Sequence, residues 1–280
     1  MKIVILGAKG MLGSDLAKVF ADFKPHLFDK DEIDITNKNA LIGLLKKIKP
    51  DIVINAAAYT DVDGCEENRD LAMKVNADAP GYLAEVSESI GAIFVHYSTD
   101  YVFSGNNENG YSEDDDPGDP VNFYGESKLA GEIAVRKSGG NYYIIRTSWL
   151  FGSGGPKING RPRNFVETIL RLAEEKSELR VVNDQHGKPT FSLDLGQRTR
   201  YIIERKKDFG IYHVTNEPAT TWYEFAKEIA GIPIIVPCKS SEFPRSAKRP
   251  GFSILLNTKL PPMRSWQEAL EDYLKRRRDA

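Results

Sequence analysis

The sequence predicts an α/β chain, a doubly wound parallel sheet followed by a smaller mixed domain built from the C-terminal half. Three observations carry that prediction. Strand-like and helix-like stretches alternate as far as Thr147, three glycines spaced three apart fall between the first strand and the first helix, and the texture changes after Trp149 to a segment rich in Gly, Pro and basic residues. Alternation of this kind implies right-handed crossovers and helices on both faces of a parallel sheet.

The elements follow in order. Lys2 to Leu6 is a short β-branched run, and the helix over Ser14 to Phe20 has Leu12, Leu16, Val19 and Phe20 at helical spacing. His26 to Phe28 reads as a short strand, Asn39 to Lys49 as a helix, and Asp51 to Ala58 (DIVINAAA) as a buried strand. Leu71 to Ile90 reads as one or two helices, Ala92 to Ser98 as a strand, Ser127 to Lys137 as a helix and Tyr142 to Thr147 as a strand. The segment FGSGGPKINGRPR is expected to be a mobile loop, ending where Asn164 caps the amphipathic helix FVETILRLAEE. Thr221 with Glu224, and Ser265 with Glu268, have capping-box spacing ahead of two closing helices. We therefore expect a dinucleotide-binding domain over 1–150, completed by part of 180–215, and a substrate domain over 151–280 interleaved with it.

Composition excludes several alternatives. The 280 residues are 41% hydrophobic and 28% charged, far from the signature of disorder. Lys plus Arg (38) against Asp plus Glu (40) leaves a net charge of −2, so there is no positive field to collect nucleic acid or an anionic membrane. Cys65 and Cys238 form no ligand spacing and are expected to be free thiols, with no metal site. The N-terminal apolar run breaks into glycines after Leu6, too early for a secretory signal, and no stretch approaches the roughly 18 to 20 apolar residues of a membrane span, so a cytoplasmic location is expected.

The chemistry-bearing residues come next. Gly7 suits a tight turn, Gly10 a close approach of backbone to a pyrophosphate, and Gly13 close packing of helix on sheet, while the helix N-terminus offers free N–H donors. The placement predicts a Rossmann-type turn for NAD or NADP, in a G-x-x-G-x-x-G variant of the more familiar G-x-G-x-x-G, against a merely structural glycine turn. Asp29, just past the second strand, is placed to accept from adenosine ribose hydroxyls, whereas the adjacent Lys30 suits a 2′-phosphate, so use of both NADH and NADPH is expected, leaning to NADPH. Tyr124 and Lys128 lie four apart, one turn along a helix face, where the cation is expected to lower the tyrosine pKa and make it a general acid. Ser98, Thr99 and Asp100 end a strand at the sheet edge where such folds place their ligands.

With the glycine turn, NAAAYTDVD (55–63), STDYVF (98–103) and YGESKLAGE (124–132), the chain resembles the extended short-chain dehydrogenase/reductase superfamily, and within it the dTDP-4-dehydrorhamnose reductase family. RTSWLFG (146–152), VVNDQHGKPT (181–190), GIYHVTN (210–216) and the Arg249–Pro250 pair extend the likeness over nearly the whole chain. The resemblance implies reduction of the C4 ketone of a sugar nucleotide by NADPH, with NADH as a second donor. It implies that Thr99 hydrogen-bonds the ketone, Tyr124 donates the proton and Lys128 holds the nicotinamide ribose. It places Met11 and Leu12 at the pyrophosphate, Asp34 and Ile35 at the adenine, Asn55, Ala56 and Ala57 under the cofactor, and Thr60, Val62, Asp100, Tyr101, Trp149 and Arg249 on the substrate. A homodimer stays open. An epimerase, a 4,6-dehydratase and a regulatory subunit resembling the β subunit of methionine adenosyltransferase share the fold; the dehydratases carry Asp-Glu after the Thr, where this chain has Asp100 and Tyr101. His96, on a buried strand, is read as structural, and His186 as a loop residue with a lesser claim on a ligand.

Overall fold

A computed structural model describes residues 1–155, 157–158, 161–162, 164–231 and 235–279. The chain opens with β1 (Ile3–Leu6), four apolar residues buried on both faces, as a central parallel strand requires. Helix α1 (Met11–Val19) starts three residues before the expected Ser14, because its N-cap is Gly10 itself. After β2 (His26–Phe28), α2 (Lys38–Ile48) is capped by Asn37, which accepts from the Ala40 amide, and stops at the left-handed Lys49. Strand β3 (Ile52–Asn55) is shorter than expected, since the chain leaves the sheet at Ala56 to pass under Gly7.

The apolar run expected over 71–90 is a helix in three parts: α3 (Val62–Glu67) precedes α4 (Arg69–Met73), a π-helical turn over Lys74–Asp78, and α5 (Ala79–Ser89). Then come β4 (Ile93–Thr99), a 3₁₀ turn over Asp100–Val102, α6 (Phe123–Lys137) and β5 (Tyr142–Thr147). Strand β6 (Leu150–Phe151) follows, and the segment expected as a loop holds a short antiparallel pair, β7 (Lys157–Ile158) and β8 (Arg161–Pro162); residues 156, 159–160 and 163 of that expected loop lie outside the described residues.

The C-terminal half continues with α7 (Phe165–Glu175), capped by Asn164, then β9 (Leu179–Val182), β10 (His186–Gly187) and β11 (Thr190–Phe191). Helix α8 (Ser192–Glu204) and β12 (Gly210–His213) return to the first half, and β13 (Thr220–Thr221), α9 (Trp222–Ala230), β14 (Ile235–Cys238) and α10 (Trp266–Arg278) complete the chain. Among the described residues the main sheet has six parallel strands in the order β12-β5-β4-β3-β1-β2.

The order reverses direction between β1 and β3, so a crevice opens at the carboxyl ends of those strands. One face of the sheet is covered by α1 and α8 through Leu12, Leu16, Phe20, Leu195 and Ile202, the other by α2, α5 and α6 through Leu41, Leu45, Leu83 and Val135. A separate core of Phe151, Val166, Phe225, Trp266 and Tyr273 holds α7, α9 and α10 together. No helix among the described residues is long and apolar enough to cross a membrane.

Candidate active site

The glycine turn is built by close contacts. Gly7 has φ of +73°, and a Cβ there would lie 2.6 Å from the Ala57 amide nitrogen. At Gly13 a Cβ would lie 2.0 Å from the Gly7 carbonyl oxygen, so this glycine lets α1 close on the turn itself. Gly10 caps α1 without any side-chain hydrogen bond, and the first bond of the helix runs from Ser14 to Gly10 at 3.0 Å. The amides of Met11 and Leu12 therefore precede the hydrogen-bonded ladder and form a donor set suited to a pyrophosphate. Gly154 and Gly155 lie against this helix end: a Cβ on Gly155 would be 2.9 Å from the Met11 nitrogen.

At the adenosine end, Asp29 ties loops together. Its Oδ2 accepts from the Lys9 amide at 2.8 Å and its Oδ1 from the Lys30 amide at 2.8 Å. Lys9 Nζ pairs with Asp31 and Glu32 at 3.1 and 2.9 Å, and Lys30 is exposed. Asp34 accepts from the amide and hydroxyl of Thr36 in a local turn, and Ile35 packs partly buried beside α2 and α5. Asn55, at the end of β3, is buried; its Oδ1 accepts from the Ala57 amide at 3.2 Å.

The reactive side chains meet at the end of β4. Asn122 caps α6 by accepting from the Gly125 amide at 2.9 Å, which puts Tyr124 in the first turn and Lys128 one turn on. Gly125 lets α6 approach the 3₁₀ turn: a Cβ there would stand 2.2 Å from the Tyr101 carbonyl oxygen. Tyr124 is thereby brought beside Thr99, whose hydroxyl opposes the rise of the phenol pKa, and its ring meets that of Tyr101 edge-on at 5.8 Å. Thr99 Oγ1 donates to Asp100 Oδ1 at 2.9 Å and accepts from the Tyr101 amide at 3.2 Å. Lys128 is buried, donates to the Tyr97 carbonyl at 2.7 Å, and lies 3.4 Å from His96 Nε2.

The electrostatics differ from the sequence reading in one respect. Lys128 was expected to lower the Tyr124 pKa, yet burial pushes that phenol up, with Thr99 pulling down less and Asp100 adding to the rise. The cation is the group that yields: burial pushes Lys128 down to about 8 against the opposing pull of Glu132. Burial also pushes Asp100 up to about 7, against the opposing pull of Ser253 and of Thr99, which donates to it. Its Oδ2 and the Ser98 hydroxyl have no hydrogen-bond partner among the described residues.

Beyond Tyr101 a cavity of about 640 Å³ opens, lined by Phe165, Trp222, Arg180, Gln185 and Arg249 among others. Arg249 donates to Asp63 Oδ2 at 2.8 Å and to the Ala247 carbonyl at 2.7 Å, and Arg245 reaches the same carboxylate at 3.4 Å. Thr60 is exposed and Val62 half-buried at the start of α3. Trp149, expected to offer its ring to the ligand, stacks on Trp222 at 3.8 Å with the planes 12° apart, and Gly187 abuts the indole so closely that a Cβ would come within 2.5 Å. Trp222 is the indole that lines the cavity. The sequence reading missed it, together with Phe165 and Asp63, although Asp63 stands in the TDVD run and Trp222 directly follows the Thr221 cap.

A doubly wound sheet with this glycine turn, and with Thr, Tyr and Lys gathered at the carboxyl end of its fourth strand, defines an extended short-chain dehydrogenase/reductase fold. Residues 1–278 match the RmlD substrate binding domain family, and the chain belongs to that family. It is 38% identical over 281 residues to a dTDP-4-dehydrorhamnose reductase of Burkholderia thailandensis, covering 93% of this chain and 92% of that one. The crystal structure of a dTDP-4-dehydrorhamnose reductase from Clostridium acetobutylicum superposes with a TM-score of 0.92 at 39% identity, over 99% of this chain and 100% of that one. That of the Bacillus anthracis dTDP-4-dehydrorhamnose reductase in complex with NADP gives a TM-score of 0.91 at 38% identity, over 98% and 99%.

Proposed function

We propose that the chain catalyses the NADPH-dependent reduction of dTDP-4-dehydro-L-rhamnose at C4, giving dTDP-L-rhamnose. The observation that carries the reading is the gathering of Thr99 and Tyr124 at the end of β4, beside the buried Lys128, in a chain whose near-full-length relatives are named dTDP-4-dehydrorhamnose reductases. When bound, the reduced nicotinamide supplies the hydride. The fit of the crevice to a dinucleotide rests on the backbone of Gly7 and Gly13, where any side chain would strike the turn, and on the uncapped amides of Met11 and Leu12.

In this reading the Thr99 hydroxyl turns from Asp100 to the C4 oxygen when substrate binds, Tyr124 aims its own hydroxyl at the same oxygen, and Tyr124 delivers a proton there as negative charge develops. The raised phenol pKa keeps that proton in place until the alkoxide forms. Lys128, as an ammonium, favours the phenolate that is left behind and holds the nicotinamide ribose. Arg249 and Arg245 face the nucleotide diphosphate, with Asp63 holding the Arg249 fork in place before the ligand arrives. Tyr101 in place of a second carboxylate disfavours dehydration. The division into a dinucleotide-binding part, 1–150 with the later α8 and β12, and a substrate part belongs to the same reading.

The test follows NADPH absorbance on addition of dTDP-4-dehydro-L-rhamnose, with the product identified chromatographically. Steady consumption is expected in the native protein, and a loss on the order of 10² to 10⁴ in turnover for Tyr124→Phe with cofactor binding retained. No consumption by the folded native protein would reject the reading.

A further inference from the structure

His96 sits in the middle of the sheet, fully buried, opposite Asn55 in the β3–β4 register. Among the described residues its ring has two polar neighbours: Asn55 Nδ2 lies 3.3 Å from Nδ1, and Lys128 Nζ lies 3.4 Å from Nε2. The orientation of the Asn55 amide is set on its other side, because Oδ1 accepts from the Ala57 amide at 3.2 Å. Turning the amide over would bring its NH₂ against that N–H. Asn55 therefore presents a donor to His96, and Nδ1 must accept. Burial first, and the charge of Lys128 second, keep the imidazole neutral. A neutral ring that accepts at Nδ1 carries its proton at Nε2, so an N–H points at the Lys128 nitrogen. An amine has a lone pair for that N–H; an ammonium has none.

We propose that His96 is a positioning residue of the reduction, setting the protonation equilibrium of Lys128 by presenting Nε2–H to its nitrogen and so favouring the amine. The chain of donors runs from the Ala57 amide through Asn55 and His96 to Lys128 and ends at the Tyr97 carbonyl. It links the turn that closes over Gly7 to the side chain beside Tyr124. The other charged or titratable groups around Lys128 do not replace this effect. Glu132, one turn further along α6, favours the ammonium but is bound in both its oxygens by Arg146 of β5, at 2.9 and 2.7 Å. Asp100 of the 3₁₀ turn and Cys65 of α3 act on Tyr124.

The functional part of this inference rests on the reductase reading, and two measurements keep the two apart. Long-range ¹H–¹⁵N spectra of the histidine rings in the free native protein report the tautomer directly, with His26, His186 and His213 assigned by single substitution. An Nε2–H tautomer at His96 at neutral pH is expected; an Nδ1–H tautomer or an imidazolium would overturn the inference, whatever the enzyme reduces. The second measurement is the pH profile of kcat/KM with NADPH and the 4-keto sugar nucleotide. If the ammonium of Lys128 is the active form, activity falls as pH rises through its pKa. In His96→Gln the amide oxygen can accept from an ammonium, so the alkaline limb should move up by about one pH unit or more. A folded His96→Gln protein with lower activity but an unmoved limb would reduce His96 to packing.

Discussion

At the residue scale, burial acts on the titratable groups of the site more strongly than their neighbours do. Asp100 is the clearest case, with its pKa near 7 in the fold against 3.8 for an unperturbed carboxyl. The folded state therefore binds the proton more tightly than the unfolded chain. Its contribution to stability is fully present below about pH 4 and is lost as pH rises through 7. Asp100→Asn, nearly the same shape and uncharged, should gain stability over the native protein by a few kcal/mol at pH 8 and by little at pH 4. Chemical denaturation at the two pH values measures this, and an equal difference at both would show that the carboxyl is not held neutral. The spacing of Tyr124 and Lys128 was legible in the sequence because four residues make one helical turn. The partnership of Asp63 with Arg249 was not, since it joins α3 to a loop 186 positions away, and no local period records such a contact. The direction of the Tyr124 shift was also out of reach, because it depends on burial rather than on the neighbour the spacing reveals.

At the element scale, α6 works as a ruler laid against the 3₁₀ turn that follows β4. Its N-cap, Asn122, and its third residue, Gly125, decide how near Tyr124 comes to Thr99. Gly125→Ala should push the first turn of α6 away from the Tyr101 carbonyl, since the added carbon would stand 2.2 Å from that oxygen. A displacement of about 1 Å at a reacting group costs about 10² in rate. The expected result is a loss of that order in kcat, with a helical circular dichroism spectrum and NADPH affinity close to native. Unchanged kcat would mean that the turn yields and that Tyr124 is positioned by something else. Helix starts were readable where a polar cap directly precedes an apolar period, as at Asn164 and Ser265, but α6 was expected from Ser127 and begins four residues earlier, because Gly125, Glu126 and Ser127 interrupt the apolar period behind its Asn122 cap. The start of α1 was misplaced because a glycine caps it, and β3 was drawn too long because Ala56 to Ala58 are apolar for contact with the glycine turn rather than for the sheet.

At the scale of the molecule, the sheet is not the property of the first half alone. Strand β12 occupies one edge, paired with β5 from Gly210–Tyr143 to His213–Arg146, and α8 covers α1, with Ser192 donating to the buried Asp15. The alternation of strands and helices made the parallel sheet legible, and the return of the chain from beyond residue 180 was foreseen only as a region, since a four-residue strand carries no partner in its pattern. A fragment of residues 1–150 leaves the β5 edge unpaired and the Leu12, Leu16 and Phe20 face of α1 open to water. It should show no cooperative thermal transition and should bind hydrophobic dye, whereas a chain extended through residue 215 should regain a transition. The same topology sets a clock for synthesis. At about 5 to 20 residues per second, the roughly 60 residues between β5 and β12 take a ribosome some seconds to add. For that interval the nascent polypeptide carries a bare, apolar strand edge, and its yield in a cell depends on what shields that edge until translation catches up.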